Sequence, residues 1–384
     1  MTKVFVGMSG GVDSSVAAAL LQQQGYDVTG VYMKNWTQDL PGMVCPWADD
    51  LADAKRVAVQ LGIPFKVYDF QKEYKQKVVN YMIAEYQAGR TPNPDIMCNQ
   101  EMKFKVFLDA ALNDGAEMIA TGHYVRVLHS PLSDISTPTG LSSAQEVPPK
   151  PRPAGQSSLP ELDMSHAALG VAADTTKDQT YFLYRITQKA LAKTLFPLGD
   201  LTKTEVRAKA RECGLATAGK KDSQGICFVG KVGIKDFLQQ YVTARPGDIV
   251  DTATGKTIGQ HDGAIFYTIG QRHGLGVGGG LPYYVVGKDM PKNIVYVTTN
   301  LNDATMWRDE LQLTQLHWIN EAPKKGEGLA VRTRYRAPMV KGTITHMADD
   351  SLTLKLADPE RAITPGQSAV LYDGERVVGG GIVI

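Results

Sequence analysis

At 384 residues the chain is long enough for two or three domains. With 43% hydrophobic residues, 21% charged residues and a formal net charge of +1, it has the composition of a soluble globular protein. No apolar stretch approaches membrane-spanning length, so a membrane-spanning helix is excluded. Its four cysteines form no CxxC pair, which argues against a structural zinc site and a disulfide scaffold and for a reducing cytoplasm. The chain enters a strand directly, without a signal-peptide pattern. A near-neutral charge leaves nucleic acid open as a partner, because a local basic patch is enough to bind phosphates.

The first 125 or so residues alternate short apolar runs with amphipathic stretches, the pattern of a parallel sheet with crossover helices. Val4–Met8 is the first predicted strand and Ser14–Gln24 the first helix, stopped by Gly25. Val28–Met33, Phe65–Phe70 and Met118–Thr121 are further strands. Asp49–Leu61, Lys72–Gln87 and Glu101–Leu112 are further helices. Ligands of such sheets lie at the carboxyl ends of the strands, where Ser9, Met33 and Gly122 fall.

Between the first strand and helix stands SGGVDSS, Ser9 to Ser15. Its glycine pair lets the backbone approach a ligand, and the helix start offers free N–H groups and a positive dipole end. That combination suits a phosphate or pyrophosphate. No lysine closes the loop as in a Walker motif, and GxGxxG is absent. The bland alternative is an ordinary capped turn with Asp13 or Ser14 as the cap. The loop resembles the pyrophosphate loop of the ATP pyrophosphatases, which cleave ATP between its α and β phosphates and adenylate a substrate.

Residues 129–165 are rich in proline and serine and read as a flexible surface insertion. Helical signals resume at Gln179–Leu195 and Lys203–Cys213. From about residue 240, β-branched runs alternate with polar residues and glycine turns, predicting a small β domain and then a C-terminal barrel. In RTRYRAP, Arg332, Arg334 and Arg336 would share one face of a strand with Tyr335 opposite, an arrangement suited to phosphate backbone.

Two cysteines have unusual surroundings. Cys98 lies in GRTPNPDIMCNQEMKF, just before a predicted helix with Asn99 as its cap, a setting that favours thiolate. Cys227 lies in KKDSQGICFVG beside Lys220 and Lys221. Cys45 and Cys213 read as ordinary small hydrophobes. Beside an adenylating site, one reactive thiol can carry sulfur as a persulfide and the other can cleave that S–S bond.

The segments GMSGGVDSS, MKNW, GRTPNPDIMCN, ATGHYVR, KDQTYFLY, KDSQGICF, YTIGQRHGLG and PGQSAVLY together resemble the bacterial tRNA-specific 2-thiouridylases, which thiolate the wobble uridine. The resemblance covers the whole chain except the insertion. It implies an α/β ATP-binding domain over 1–193, a small central domain over 194–304 and a C-terminal β-barrel over 305–384. The segment at about 219–238, which bears Cys227, would return to the first domain. Gly7, Met8, Ser9, Gly10, Gly11, Val12, Asp13 and Ser14 would bind ATP with Mg2+, and Met33 and Gly122 would line the adenine side. Asn93, Pro94 and Asp95 would contact the target base, with Asp95 assisting proton transfer. Cys98 would be the nucleophile and Cys227 the persulfide carrier, with a transient Cys98–Cys227 disulfide. His123, Lys177, Asp178, Gln179, Arg334, Tyr335 and Gln367 would lie along tRNA for lysine, glutamate or glutamine. The sulfur donor would be a cysteine desulfurase or a relay carrier. An iron–sulfur cluster on the thiols is a mechanistic alternative. A pyrophosphatase that adenylates a carboxylate, as amidotransferase-type ligases do, is the competing function.

Overall fold

The computed structural model describes residues 1–38, 45–128, 167–221, 234–278 and 280–384. Five parallel strands make the N-terminal sheet, in the order Phe65–Asp69, Asp27–Lys34, Lys3–Gly7, Met118–Ala120, Thr194–Leu195. Val4, Phe5 and Val6 of the central strand are fully buried, as expected where helices cover both faces. The strand order reverses beside this strand, and the glycine-rich loop leaves its carboxyl end.

The predicted crossover helices form at Val12–Gln23 and Trp47–Leu61, the second closed by Gly62 in the left-handed conformation. The predicted 72–87 helix runs through Gln71–Tyr74, a wider π turn at Lys75–Val79, and Asn80–Gln87. The helix expected at Glu101 starts earlier. It begins at Pro94 and continues through a π segment, Cys98–Phe107, into Leu108–Asn113. Proline at the first helical position has the right φ and lacks only an N–H that the helix would leave unpaired.

The first body also runs past residue 193. Thr194–Leu195 pairs with Met118–Ala120, and helix Lys203–Glu212 packs on Val12–Gln23. The helical signal at 179–195 resolves into two short helices, Thr180–Leu183 and Gln188–Leu191.

The central body is a four-stranded sheet in the order Tyr284–Asp289, Ile294–Thr298, Gly247–Asp251, Thr257–His261. Six antiparallel strands then form the barrel, closed where Trp307–Trp318 pairs with both Ser351–Arg361 and Arg376–Val383. Its interior is filled by Leu311, Leu313, Val331, Leu352, Leu354 and Leu371, among others. Sequence patterning missed a short hairpin, Arg126–Leu128 with Ala168–Gly170, which joins the barrel sheet through Gly170 and Arg376. It flanks the proline-rich stretch, which itself lies outside the described residues. Among the described residues no helix is long and apolar enough to cross a membrane.

Candidate active site and nucleic-acid face

The helix after the loop starts at Val12 with Gly11 as its cap, so neither Asp13 nor Ser14 caps it. Instead Ser14 and Ser15 turn their hydroxyls back onto the Gly11 carbonyl, at 3.2 and 2.8 Å, and Ser14 Oγ accepts from the Ser9 amide. The helix start thus has no side-chain cap to compete with an anion. Gly10 has φ +75°, and a Cβ there would lie 2.3 Å from the Asp50 carbonyl oxygen. A Cβ on Gly122 would lie 2.7 Å from the Ser14 nitrogen. Both glycines are required by close backbone approach. The Met33 methyl lies against Gly7, as does Phe107 from the helix that carries Cys98.

A lysine from a distant helix reaches the loop's carboxylate. Lys203 Nζ reaches both carboxylate oxygens of Asp13, at 2.7 and 2.9 Å, and the Tyr124 hydroxyl donates to the same carboxylate at 2.8 Å. Thr202 and Glu205 form a capping box that fixes the start of the Lys203 helix. The Lys203 amide donates to Asp174. Neither Lys203 nor Tyr124 stands out as a site residue in the sequence. The signal available was the loop's own lack of a cation.

Asn93 caps the Cys98 helix, its Oδ1 accepting from the amides of Asp95 and Ile96. Asn99, expected as the cap, is buried within the helix and donates to the Phe182 carbonyl. Cys98 is therefore the fifth helical residue rather than one just ahead of the helix, and it is buried. The free N–H groups of the helix belong to its first turn, ahead of Cys98.

The approach to Asn93 is held by all three bodies. The Thr91 amide donates to the Pro365 carbonyl at 2.9 Å, and Gln367 Nε2 donates to the Thr91 carbonyl at 2.7 Å. Thr91 Oγ1 meets Thr268 Oγ1 of the central body at 3.2 Å. Gly366 has φ +91°, and a Cβ there would lie 2.8 Å from the Thr91 nitrogen. Gln367 thus bonds to the loop that leads to Asn93 and Asp95. Gln367→Ala is expected to lower kcat/KM for base modification on the order of tenfold, by loosening that loop, with Kd for tRNA unchanged. A variant that changed only the tRNA Kd would assign Gln367 to RNA contact instead.

On the other side, Thr175, Lys177, Asp178, Arg332, Tyr335 and Arg336 line a cleft of about 420 Å3 between the first body and the barrel. The strand there ends at Arg332, and Arg336 has φ +62°, so the three arginines do not share a strand face as predicted. Arg332 turns inward to Asp178 at 3.0 Å, and Asp178 is 2% exposed. Asp178 also accepts from the Ala172 amide and the Thr180 hydroxyl, so it builds the cleft wall from within. Arg334 and Arg336 are exposed, and Tyr335 packs on Phe182 with centroids 4.5 Å apart. Gln179 exchanges main-chain and side-chain hydrogen bonds with Tyr124.

His123 is also interior, packed against Phe104 and Phe196, so it is not on an open RNA-facing surface. Its Nε2 faces Lys103 Nζ, which can only donate, so Nδ1 carries the proton and donates to Thr121 Oγ1. Burial, aided by the Lys103 charge, holds its pKa well below the ordinary value. Because the unfolded chain takes up this proton first, stability from this group is intact above about pH 6.5 and falls as pH drops below it. His261 and His317 are shifted the same way by burial. His123→Gln should therefore flatten, without abolishing, the decline of Tm between about pH 7 and 5; an unchanged slope would show that His123 titrates normally.

Residues 2–231 match the family described as tRNA methyl transferase HUP domain, 235–299 its PRC-barrel domain, and 308–383 the aminomethyltransferase beta-barrel domain. Proteins described as tRNA-specific 2-thiouridylase MnmA from Bacillus thuringiensis (strain Al Hakam) and Bacillus anthracis are each 44% identical over 384 residues. The alignment spans 100% of this chain and 94% of theirs, and MnmA 2 of Geobacillus kaustophilus matches equally. The chain belongs to the tRNA-specific 2-thiouridylase family.

Within this thiouridylase, Cys227 lies outside the described residues, but both flanks of its segment are placed. Lys220 donates to Asp50 and Asp53, at 2.8 and 2.7 Å, on the helix that buttresses Gly10. On the other flank Phe237 packs edge-on against Trp36 of the first body. Among the described residues, no three His, Cys, Asp or Glu side chains gather as a metal site. Cys45 donates to the Trp36 carbonyl, and Cys213 accepts from Gln23.

Proposed function

We propose that this chain 2-thiolates the wobble uridine of tRNA for lysine, glutamate and glutamine, using ATP and a protein persulfide. The observation that carries the proposal is Phe107, which packs the Cys98 helix against Gly7 of the pyrophosphate loop. An activating site and a thiol-bearing element thus share one wall. Family membership supplies tRNA as the substrate class.

The uracil 2-oxygen attacks the α phosphorus of ATP, and pyrophosphate leaves. The terminal sulfur of a Cys227 persulfide attacks C2, and AMP leaves with the oxygen. The Cys98 thiolate then attacks Cys227 Sγ, forming the Cys98–Cys227 disulfide and leaving sulfur on C2 as the thiocarbonyl. A thiol reductant resets the disulfide, and a cysteine desulfurase or relay carrier reloads Cys227. Asp95, beside the base-binding Asn93 and Pro94, handles the proton of the reacting base. Mg2+ would ride on the phosphates, with Asp13 as the nearest loop carboxylate. Both Asp13 oxygens are engaged by Lys203, so the metal would share that carboxylate with a cation already in place. The exposed Arg334 and the half-buried Tyr335, with Lys177, would receive the RNA at the cleft. A cytoplasmic location follows from this substrate.

Mass spectrometry of nucleosides from tRNA incubated with the protein, ATP, magnesium and a sulfide donor tests the reading. ATP-dependent 2-thiouridine supports it. AMP and pyrophosphate formed on a carboxylate substrate, with no thiouridine on any tRNA, would replace it with the ligase reading.

A further inference from the structure

A second cavity, of about 350 Å3, lies where the three bodies meet, lined in part by the Ala88–Thr91 segment that leads to Asn93. Its walls include Arg90 and Thr91 of the first body, Lys288 and Met290 of the central sheet, and Arg308 and Thr364 of the barrel. Among the described residues no acidic side chain lines it. The walls are locked together: a Cβ on Gly89 would lie 2.6 Å from Met290 Cγ, and one on Gly270 would lie 2.7 Å from Ala362 Cβ. The cavity is therefore preformed.

Lys288 is the unusual member. Its Nζ is out of contact with solvent and has no hydrogen-bond partner among the described residues. Burial alone acts on it and pushes its pKa down to about 8. Buried ammonium groups are ordinarily paired, because desolvation of a lone charge is expensive. Arg90 is bidentate to Glu85, and Arg308 projects at the exposed rim. An apolar ligand would meet two guanidiniums and an amine here. An anion would complete the set.

We propose that this junction cavity is a binding site for a small phosphate-bearing anion, held by Lys288 and Arg308 with Arg90 at its edge. A free anion fits better than a phosphate of an RNA backbone, because the Lys288 amine is withdrawn from the surface that a polymer can reach. Lys288 swings its terminal bonds toward the cavity when the anion enters, and the charge is then neutralised. Binding ties Gly89–Thr91 to both β bodies.

The site is tested by calorimetric titration of the full-length protein with inorganic phosphate and with pyrophosphate, at fixed ionic strength. A saturating non-hydrolysable ATP analogue keeps the pyrophosphate loop filled. Saturable binding at one site is expected, weakened at least tenfold in Lys288→Met and in Arg308→Gln. The unliganded Lys288→Met protein should melt no lower than the wild type, since it loses an unpaired buried amine. Arg308 is exposed, so its variant keeps the test alive if Lys288→Met misfolds. Absence of saturable binding, or equal binding by both variants, overturns the proposal. So does loss of tRNA affinity in Lys288→Met without any phosphate binding, which would make the occupant RNA.

Discussion

Cys98→Ser is expected to lower thiouridine formation by on the order of 10³-fold or more when no external thiol is added, while tRNA-dependent AMP formation continues. In the proposed reaction, activation of the base is the work of the pyrophosphate loop and ATP and precedes any step that uses the Cys98 thiol. In the proposed reaction the transferred sulfur still links C2 to Cys227 after the persulfide has attacked C2 and AMP has left. Only a second thiolate can break that bond. The variant should therefore accumulate a protein–tRNA adduct that dithiothreitol releases as 2-thiouridine. Cys227→Ser should make neither adduct nor product. The two variants separate the carrier from the resolving thiol, which a simple loss of activity does not. Serine is close in size to cysteine, so the protein with Cys98→Ser at its buried site is expected to fold. Normal thiouridine formation by Cys98→Ser without added thiol would sink the persulfide mechanism.

The loop was the most legible part of the site, because its function is local. A strand, two glycines, an acid and a helix in succession already determine a backbone with unpaired amides. What sequence could not show was the company the loop keeps. Lys203 is 190 residues from Asp13, and only the packing of two helices brings them together. Local signals also misplaced the Cys98 helix. The predicted start follows Cys98, with Asn99 as cap, but Pro94 stands at the first helical position, where proline is favoured. The alternating arginines failed for a related reason. Alternation implies one face only while the strand continues, and this strand stops at Arg332 to let its guanidinium pair with Asp178. Burial of Asp178 and His123 was invisible because both are polar and stand in loop-like sequence. Their burial is stable because each is satisfied by specific partners.

Hydrogen bonds from residues 174 and 179 join the cleft to the pyrophosphate loop by two short routes. Gln179 holds the Tyr124 main chain, and the Tyr124 hydroxyl holds Asp13. Asp174, beside the cleft-lining Thr175, accepts from the Lys203 amide, and Lys203 Nζ holds Asp13. In the proposed complex, RNA seated against Lys177 would bear on a segment one residue removed from the loop's carboxylate, through Tyr124 or Lys203. Both routes converge on Asp13, the carboxylate that Lys203 holds.

Lys203→Met should accordingly lower AMP formation by about 10²–10³-fold, the scale of losing one preorganised charge on a transferring phosphoryl group. The loop supplies amides and hydroxyls but no cation of its own. Lys203, with its side chain 12% exposed, is the positive charge nearest its carboxylate among the described residues. When ATP arrives, the amine can bridge from Asp13 to the phosphates, and it meets greater negative charge as pyrophosphate departs. A purely structural role predicts otherwise, because the amine would then serve only to neutralise Asp13. The double variant Asp13→Asn with Lys203→Met separates the two. The reference is Asp13→Asn alone, because Asp13 has its own place in the ATP loop. If neutralisation were the whole role, the double variant would match Asp13→Asn in both Tm and AMP formation. If the lysine acts on the phosphates, Tm matches and AMP formation falls well below that of Asp13→Asn. Lys203→Arg, which keeps the charge on a bulkier head, should retain part of the activity. A Lys203→Met enzyme as fast as the wild type would show that the loop amides and the metal carry the charge alone.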